Sequence, residues 1–227
     1  MLEFELDGFS FTIPRILLSD RLAGKLRAGN YEMNDARAVR SRLLPGDRVL
    51  ELGTGLGYLG ALCAQVVGAD RVTCVEAHPD MVEVARNNLA RNGFSTTQVI
   101  HGALTAERDT ADTVAFRMGP AFWSSALARP EDDPADIVEV PAVKLSQLLE
   151  AYVPNLLIVD IEGGEAFLFE DPLPARLHTV VVELHPGRYP APVIKEIFDF
   201  MSANGLTYDP GGSRGGVVTF QRVAAAP

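Results

Sequence analysis

The stretch Val49-Leu50-Glu51-Leu52-Gly53-Thr54-Gly55-Leu56-Gly57-Tyr58-Leu59-Gly60 decides the fold. An apolar run suited to a buried strand ends at Leu52, glycines then alternate with single residues through Gly57, and an apolar pattern of helical period runs on to Val67. The order predicted is strand, tight turn, helix. A backbone that turns sharply and lies against a ligand has no room for a Cβ, and the free amides of the new helix face whatever is bound. Counted from Gly53, the dinucleotide fingerprint would place its third glycine where Tyr58 stands, and the Gly-Lys-Ser/Thr ending of a phosphate-cradling loop is missing. A nucleoside without a pyrophosphate suits this turn better.

A second apolar run, Arg71-Val72-Thr73-Cys74-Val75-Glu76, ends in a lone carboxylate about 20 residues beyond the glycines, where an acidic side chain takes ribose hydroxyls in parallel α/β sheets. Neither feature is specific alone; together they point to a bound ribose.

At 227 residues the chain has the length of one large domain, and 47% hydrophobic content supplies a sizeable core. A net charge of −10 argues against nucleic acid or an anionic membrane as the main partner, since both attract basic faces. Cys63 and Cys74 fall in apolar patterns and read as buried thiols, not as a disulfide or metal pair. Glu3, Glu5 and Asp7 stand where a signal peptide would carry positive charge, and no apolar run reaches membrane-spanning length. The expected compartment is the cytoplasm. Nothing in the sequence sets the oligomeric state.

The expected organisation is an N-terminal hairpin with cap helices over 1–44, a main domain over 45–223 and a frayed tail at 224–227. Phe4 to Leu6 and Phe9 to Ile13 alternate about the turn dipeptide Asp7-Gly8, and such a hairpin is expected to cover a sheet edge or the mouth of a site. Two short helical patterns follow, the second capped by Asn34 or Asp35. Beyond Glu76, Pro79 opens a helix that Asn92-Gly93 closes, and Thr97 to Ile100 is the third strand. The segment 105–143 is the least regular, with a β excursion near Val114-Ala115-Phe116. Recognition loops are expected there. Lys144 to Tyr152 reads as a helix. Leu156 to Asp160 and Thr179 to His185 are apolar enough to be strands covered on both faces. A helix from about Ala191 to Ala203 and two closing antiparallel strands complete the order. The fold class is therefore α/β: a class I methyltransferase Rossmann-like sheet, mostly parallel with a terminal antiparallel strand, plus the N-terminal β-hairpin and short helices.

From Tyr31-Glu32 to Glu183-Leu184-His185-Pro186 the chain resembles the FkbM family of S-adenosylmethionine-dependent methyltransferases. The segments that carry the resemblance are Tyr31-Glu32, Val49 to Gly57, Val75-Glu76-Ala77-His78-Pro79, Asn88-Leu89 with Asn92-Gly93, Gly102-Ala103-Leu104, and above all Asp160-Ile161-Glu162-Gly163-Gly164-Glu165. The last is similar to the family's Asp-hydrophobic-Glu-Gly-Ala-Glu signature. The chain departs from the family at Glu51, at Thr54-Gly55-Leu56, at Val159 in place of Lys and at Ser146 in place of Asp.

The resemblance implies S-adenosylmethionine as cofactor and methyl transfer to a hydroxyl of a small molecule or saccharide. The residues assigned to the cofactor are Glu32, Glu51, Gly53, Gly55, Gly57, Tyr58, Glu76, Ala77, Gly102, Ala103 and Asp160; those assigned to proton removal are Asp160 and His185. Glu162 and Glu165 with Asp160 offer hard oxygen ligands for a divalent cation, but acidic groups near a helix N-terminus have a simpler reason to be there, so no metal is assigned. Trp123 is a candidate platform for a sugar ring, His101 a packing residue and His178 a surface residue. A catalytically silent cofactor-binding or scaffold domain, a protein methyltransferase and a nicotinamide dehydrogenase remain open alternatives.

Overall fold

The structure, a computed structural model, describes residues 1–223, so the expected tail at 224–227 lies outside the described residues. The chain opens with β1 (Leu2–Leu6) and β2 (Phe9–Ile13), an antiparallel pair joined by Asp7 and Gly8 at φ 51° and 83°. Positive φ at both turn residues matches the twist of the flanking strands. Next come α1 (Asp20–Arg27), capped by the Ser19 hydroxyl on the Leu22 amide, and α2 (Met33–Arg42). Neither Asn34 nor Asp35 caps α2. The break falls instead at Glu32, φ 46°, because the Tyr31 ring is buried beside Tyr58 and fixes the direction of entry; Asp35 then lies buried inside the first turn.

Strands and helices then alternate: β3 (Val49–Leu52), α3 (Tyr58–Val67), β4 (Val72–Glu76), α4 (Pro79–Arg91) and β5 (Gln98–His101). The excursion holds β6 (Ala103–Leu104), β7 (Thr113–Arg117), β8 (Ala126–Leu127) and β9 (Ile137–Val143). The remainder is α5 (Leu145–Tyr152), β10 (Leu156–Val159), α6 (Glu165–Leu168), β11 (Thr179–Glu183), α7 (Ala191–Ala203), β12 (Leu206–Tyr208) and β13 (Val217–Arg222).

The main sheet has seven strands in the order β12-β13-β11-β10-β3-β4-β5, parallel except for β13, which runs antiparallel to both neighbours. The chain leaves β3 toward β4 and β5 and returns across it to β10, so the order reverses between β3 and β10, where open α/β sheets bind ligands. The register pairs Leu52 with both Val75 and Val159, which brings the ends of three strands side by side.

Side chains alternate between two cores. Val49, Cys74 and Ile158 join one with α2, α3 and α4, while Leu50, Leu52, Leu157 and Val159 join the other with α5, α6 and α7. The smaller sheet, β6-β9-β7-β8, contains a strand that the sequence does not announce: β9 carries Pro141 opposite Thr113, and a proline inside a run ordinarily argues against a strand. No helix among the described residues is long and apolar enough to cross a membrane.

The hairpin covers neither a sheet edge nor the mouth of a site. It lies on α4, where two asparagines act as a surrogate strand. Asn88 accepts the Thr12 amide at 2.8 Å and donates to the carbonyls of Thr12 and Leu56, each at 3.1 Å, while Asn92 exchanges two bonds with Ser10. Asn88 is fully buried, so truncation strands backbone groups that water cannot reach. Asn88→Ala is expected to lower unfolding stability by about 2–4 kcal/mol in urea denaturation, and the half-buried Asn92→Ala by less.

Candidate active site

The turn after β3 is held down from two sides. The Gly53 and Thr54 amides both donate to the Val75 carbonyl, at 2.9 and 3.2 Å. Gly53 has φ 86°, and a Cβ there would overlap the Asp160 carbonyl oxygen, so only glycine lets the exits of β3 and β10 touch. The Gly55 amide donates to Glu76 Oε2 at 2.8 Å, and Glu76 Oε1 accepts the His78 amide at 2.8 Å. Burial pushes the Glu76 carboxyl up, and the amides of His78, Gly55 and Ala77 oppose that shift. Each carboxylate oxygen retains a lone pair for a further donor.

These ends line a cavity of about 320 Å³, within the range of small-molecule sites. Glu76, Ala77, Gly102 and Ala103 form one wall; Phe116, Phe122, Trp123 and Leu127, carried by the excursion, form another. Trp123 is half-buried, with Lys25 Nζ 5.1 Å and the Arg21 guanidinium 5.9 Å from its ring centre. The third wall is acidic: Glu32, Asp35, Asp160, Glu162 and Glu183 converge with His185.

Burial and, after it, charge crowding set the state of that wall. Burial holds the carboxyls of Glu32 and Asp160 well above the ordinary range, and their acidic neighbours push the same way; Asp35 is raised to about 7 by burial and then by Glu183. His185 is tied at Nδ1 to Glu165 Oε1, 3.2 Å away, which leaves Nε2 3.5 Å from Asp160 Oδ1 and 3.7 Å from Glu162 Oε2. Burial alone would lower the imidazole pKa, but Glu165, Glu162 and Glu183 outweigh it and hold it above the usual value. Asp160 Oδ1 is buried with no hydrogen-bond partner.

Three assigned residues lie away from the cavity. Glu51 is inside β3 on the α3 face, since alternation turns it away from the strand ends; its Oε2 accepts from Thr54 Oγ1 at 2.8 Å and from Cys74 Sγ at 3.0 Å. Gly57 faces α4, where a Cβ would stand 3.3 Å from the Ala85 carbonyl oxygen. The Tyr58 hydroxyl donates to Asp7 of the hairpin. The fingerprint spacing is in fact met by Gly55, Gly57 and Gly60, but Gly60 lies within α3, with room for a Cβ only 2.9 Å from Cys74 Sγ. Its glycine serves helix-to-sheet packing.

The acidic residues Asp160, Glu162 and Glu165 do not converge on one point. Glu165 turns inward, accepting the Ile161 and Gly163 amides at 3.0 Å each, and so braces the loop and His185 instead of facing the cavity. Glu183 and Asp35 take its place. Asp35 reads as a helix cap in the sequence, and only its burial against Glu183 shows otherwise. His178 is no idle surface residue: Nε2 stands 2.9 Å from Asp47 Oδ1 at the opposite end of the sheet. His101 Nε2 reaches the Ala77 carbonyl at 3.2 Å and steadies the segment after β4.

Residues 57–208, more than half of the chain, match the methyltransferase FkbM domain. The chain belongs to the FkbM methyltransferase family. It is 41% identical over 61 residues to the protein-L-isoaspartate O-methyltransferase of Methanococcoides burtonii, covering 26% of this chain and 30% of that protein. It is 46% identical over 123 residues to the enzyme of the same name from Methanocella arvoryzae, covering 53% of this chain and 62% of that one. The chain thus spans less than two thirds of the length of either relative. Among solved structures, precorrin-6y C5,15-methyltransferase from Geobacter metallireducens superposes with a TM-score of 0.52 at 8% identity, covering 94% of each chain, a likeness of fold. In this FkbM chain the signature Asp160 to Glu165 forms the exit of β10, with Glu162 at φ 53° and Gly163 at φ 109° making the loop that Glu165 fastens.

Glu51 yields a pH test. Burial raises its carboxyl to about 7, against the thiol and hydroxyl that donate to it. Between the ordinary glutamate value and about 7 the folded chain keeps a proton that the unfolded chain has released, so stability falls as pH rises through that window. Glu51→Gln is expected to remove this slope and to raise stability by ~2–3 kcal/mol at about pH 8, with little change near pH 5, in denaturant titrations across pH.

Proposed function

We propose that this chain transfers the methyl group of S-adenosylmethionine to a hydroxyl of a small molecule or saccharide. The observation that carries the reading is the buried Glu76 carboxylate, which lines the cavity while bridging the Gly55 and His78 amides. The cradle suits a nucleoside: Gly55 adds no Cβ where one would stand 3.0 Å from the Tyr31 hydroxyl, and the free lone pairs of Glu76 suit a ribose diol. Gly53 and Gly55 would flank the ligand's backbone-facing side, Ala77, Gly102 and Ala103 its base, and Glu32 its ammonium group. When bound, S-adenosylmethionine supplies a methyl already activated by its sulfonium.

The protein's remaining work is alignment, exclusion of water and removal of the hydroxyl proton. Phe116, Phe122 and Trp123 exclude water and offer a flat apolar surface to the acceptor. Generation of the nucleophile is assigned to the pair Asp160 and His185, with Glu165 orienting the imidazole so that Nε2 faces the cavity.

The named relatives act on isoaspartyl groups of proteins, which makes a protein acceptor the second reading. Two observations favour the small hydroxyl acceptor. A carboxylate acceptor would enter beside five acidic side chains, where like charges repel, and the excursion narrows the cavity to about 320 Å³. Turnover against a panel of saccharides, phenols and isoaspartyl peptides is the direct measurement; methylation of the peptide alone would overturn the hydroxyl reading.

Glu76→Ala is expected to weaken S-adenosylhomocysteine binding about 100-fold by calorimetry, since charge-assisted hydrogen bonds contribute about 1.5–3 kcal/mol each. Asp160→Asn and His185→Gln are expected to lower kcat by about 100-fold or more while changing S-adenosylhomocysteine affinity only a few-fold. Unchanged turnover in both would remove the pair from the chemistry.

A further inference from the structure

Asp160, Glu183 and His185 each place one ligand-type atom within 4.8 Å of the others. They come from the exits of two adjacent strands, β10 and β11, so the sheet itself fixes their spacing. Two independent features suit this corner to a cation. Asp160 Oδ1 is buried without a hydrogen bond, and Asp35, only 4% exposed, lines the same cavity with no donor beyond its own backbone amide. Buried carboxylates left in this state are costly unless they take up a proton or a positive charge joins them. The basic groups at this wall leave Asp35 and Glu183 unpaired: Arg188 reaches only Glu162, at 3.4 Å, and His185 is held at Nδ1 by Glu165 while its Nε2 faces Asp160 Oδ1 at 3.5 Å, too long for a hydrogen bond.

We propose that Asp160, Glu183 and His185 bind one divalent transition-metal ion of the Mn²⁺ type, with Asp35 beside it, and that the acceptor is a molecule with two adjacent oxygens that chelates this ion. Two carboxylates neutralise a divalent charge, and the imidazole selects against Mg²⁺ and Ca²⁺, which prefer shells of oxygen alone. Three protein ligands leave positions for a vicinal diol. The idea rests on the methyl-transfer reading and sharpens it: the pair Asp160 and His185 acidifies the hydroxyl through the ion, the O–H bond breaking as its proton leaves to water. Glu32 stays free for the ammonium group of the cofactor.

The test is a Mn²⁺ titration of the whole chain, stripped with EDTA and followed by the electron paramagnetic resonance of free Mn²⁺. One ion per chain is expected, with affinity at least tenfold weaker in Glu183→Gln and in Asp160→Asn and unchanged in Asp199→Asn, an exposed site on α7. Binding of S-adenosylhomocysteine by the Glu183→Gln variant, within about threefold of the parent, reports that its pocket has formed. No Mn²⁺ binding, or equal binding by the parent and Glu183→Gln, overturns the site. Mg²⁺ binding as tight as Mn²⁺ removes the imidazole from the ligand set and overturns it too. Absence of Mn²⁺ binding by the parent while S-adenosylhomocysteine still binds it defeats only the metal. Failure of S-adenosylhomocysteine to bind the parent defeats the methyl-transfer reading itself.

Discussion

The close approach of the Gly53 backbone to the Asp160 carbonyl is the contact on which the rest depends. A single Cβ at Gly53 would force the exits of β3 and β10 apart. With them together, the turn lies flat against the β4 exit, its amides reach the Val75 carbonyl and the Glu76 carboxylate, and three acidic strand ends share one cavity. Sheet register does the positioning, so the site inherits the rigidity of the most buried strands.

That geometry gathers negative charge. Carboxylates that water would keep ionised are instead crowded, buried and raised in pKa, while Lys25 and Arg21 stand over Trp123 and Arg188 reaches only Glu162. Such a wall is built to receive positive charge, and the proposed ligands supply it as a sulfonium, an ammonium group and a metal ion. The loop from Asp160 to Glu165 serves both sides of this arrangement. Its first residue faces the cavity, and its last ties down the loop amides and aims His185.

The N-terminal segments act at one remove. Asn88 joins the hairpin to the carbonyl of Leu56 within the glycine turn, and Tyr58 joins α3 to Asp7, so the hairpin buttresses the turn from behind. Tyr31 and Glu32 reach the cavity from in front, where the Tyr31 hydroxyl bonds to Glu32.

The strand, turn and helix around Gly53, the acid at Glu76, the apolar strands ending at Asp160 and Glu183, and the alternation of strands and helices along the chain were all legible in the sequence. Each rests on a local cause: an unbroken apolar run, a residue without a Cβ, or a period of two or 3.6 residues. Tertiary structure decided the rest. Whether Glu51 faces the cavity or the core depends on which face of β3 is covered, and whether Asp35 caps a helix or joins an acidic wall depends on what packs against α2. That β9 is a strand despite Pro141 depends on partners distant in the chain. Composition and local pattern fix what a segment can be, whereas the identity of its neighbours, and with it the grouping of Asp160, Glu183 and His185, exists only once the sheet has closed.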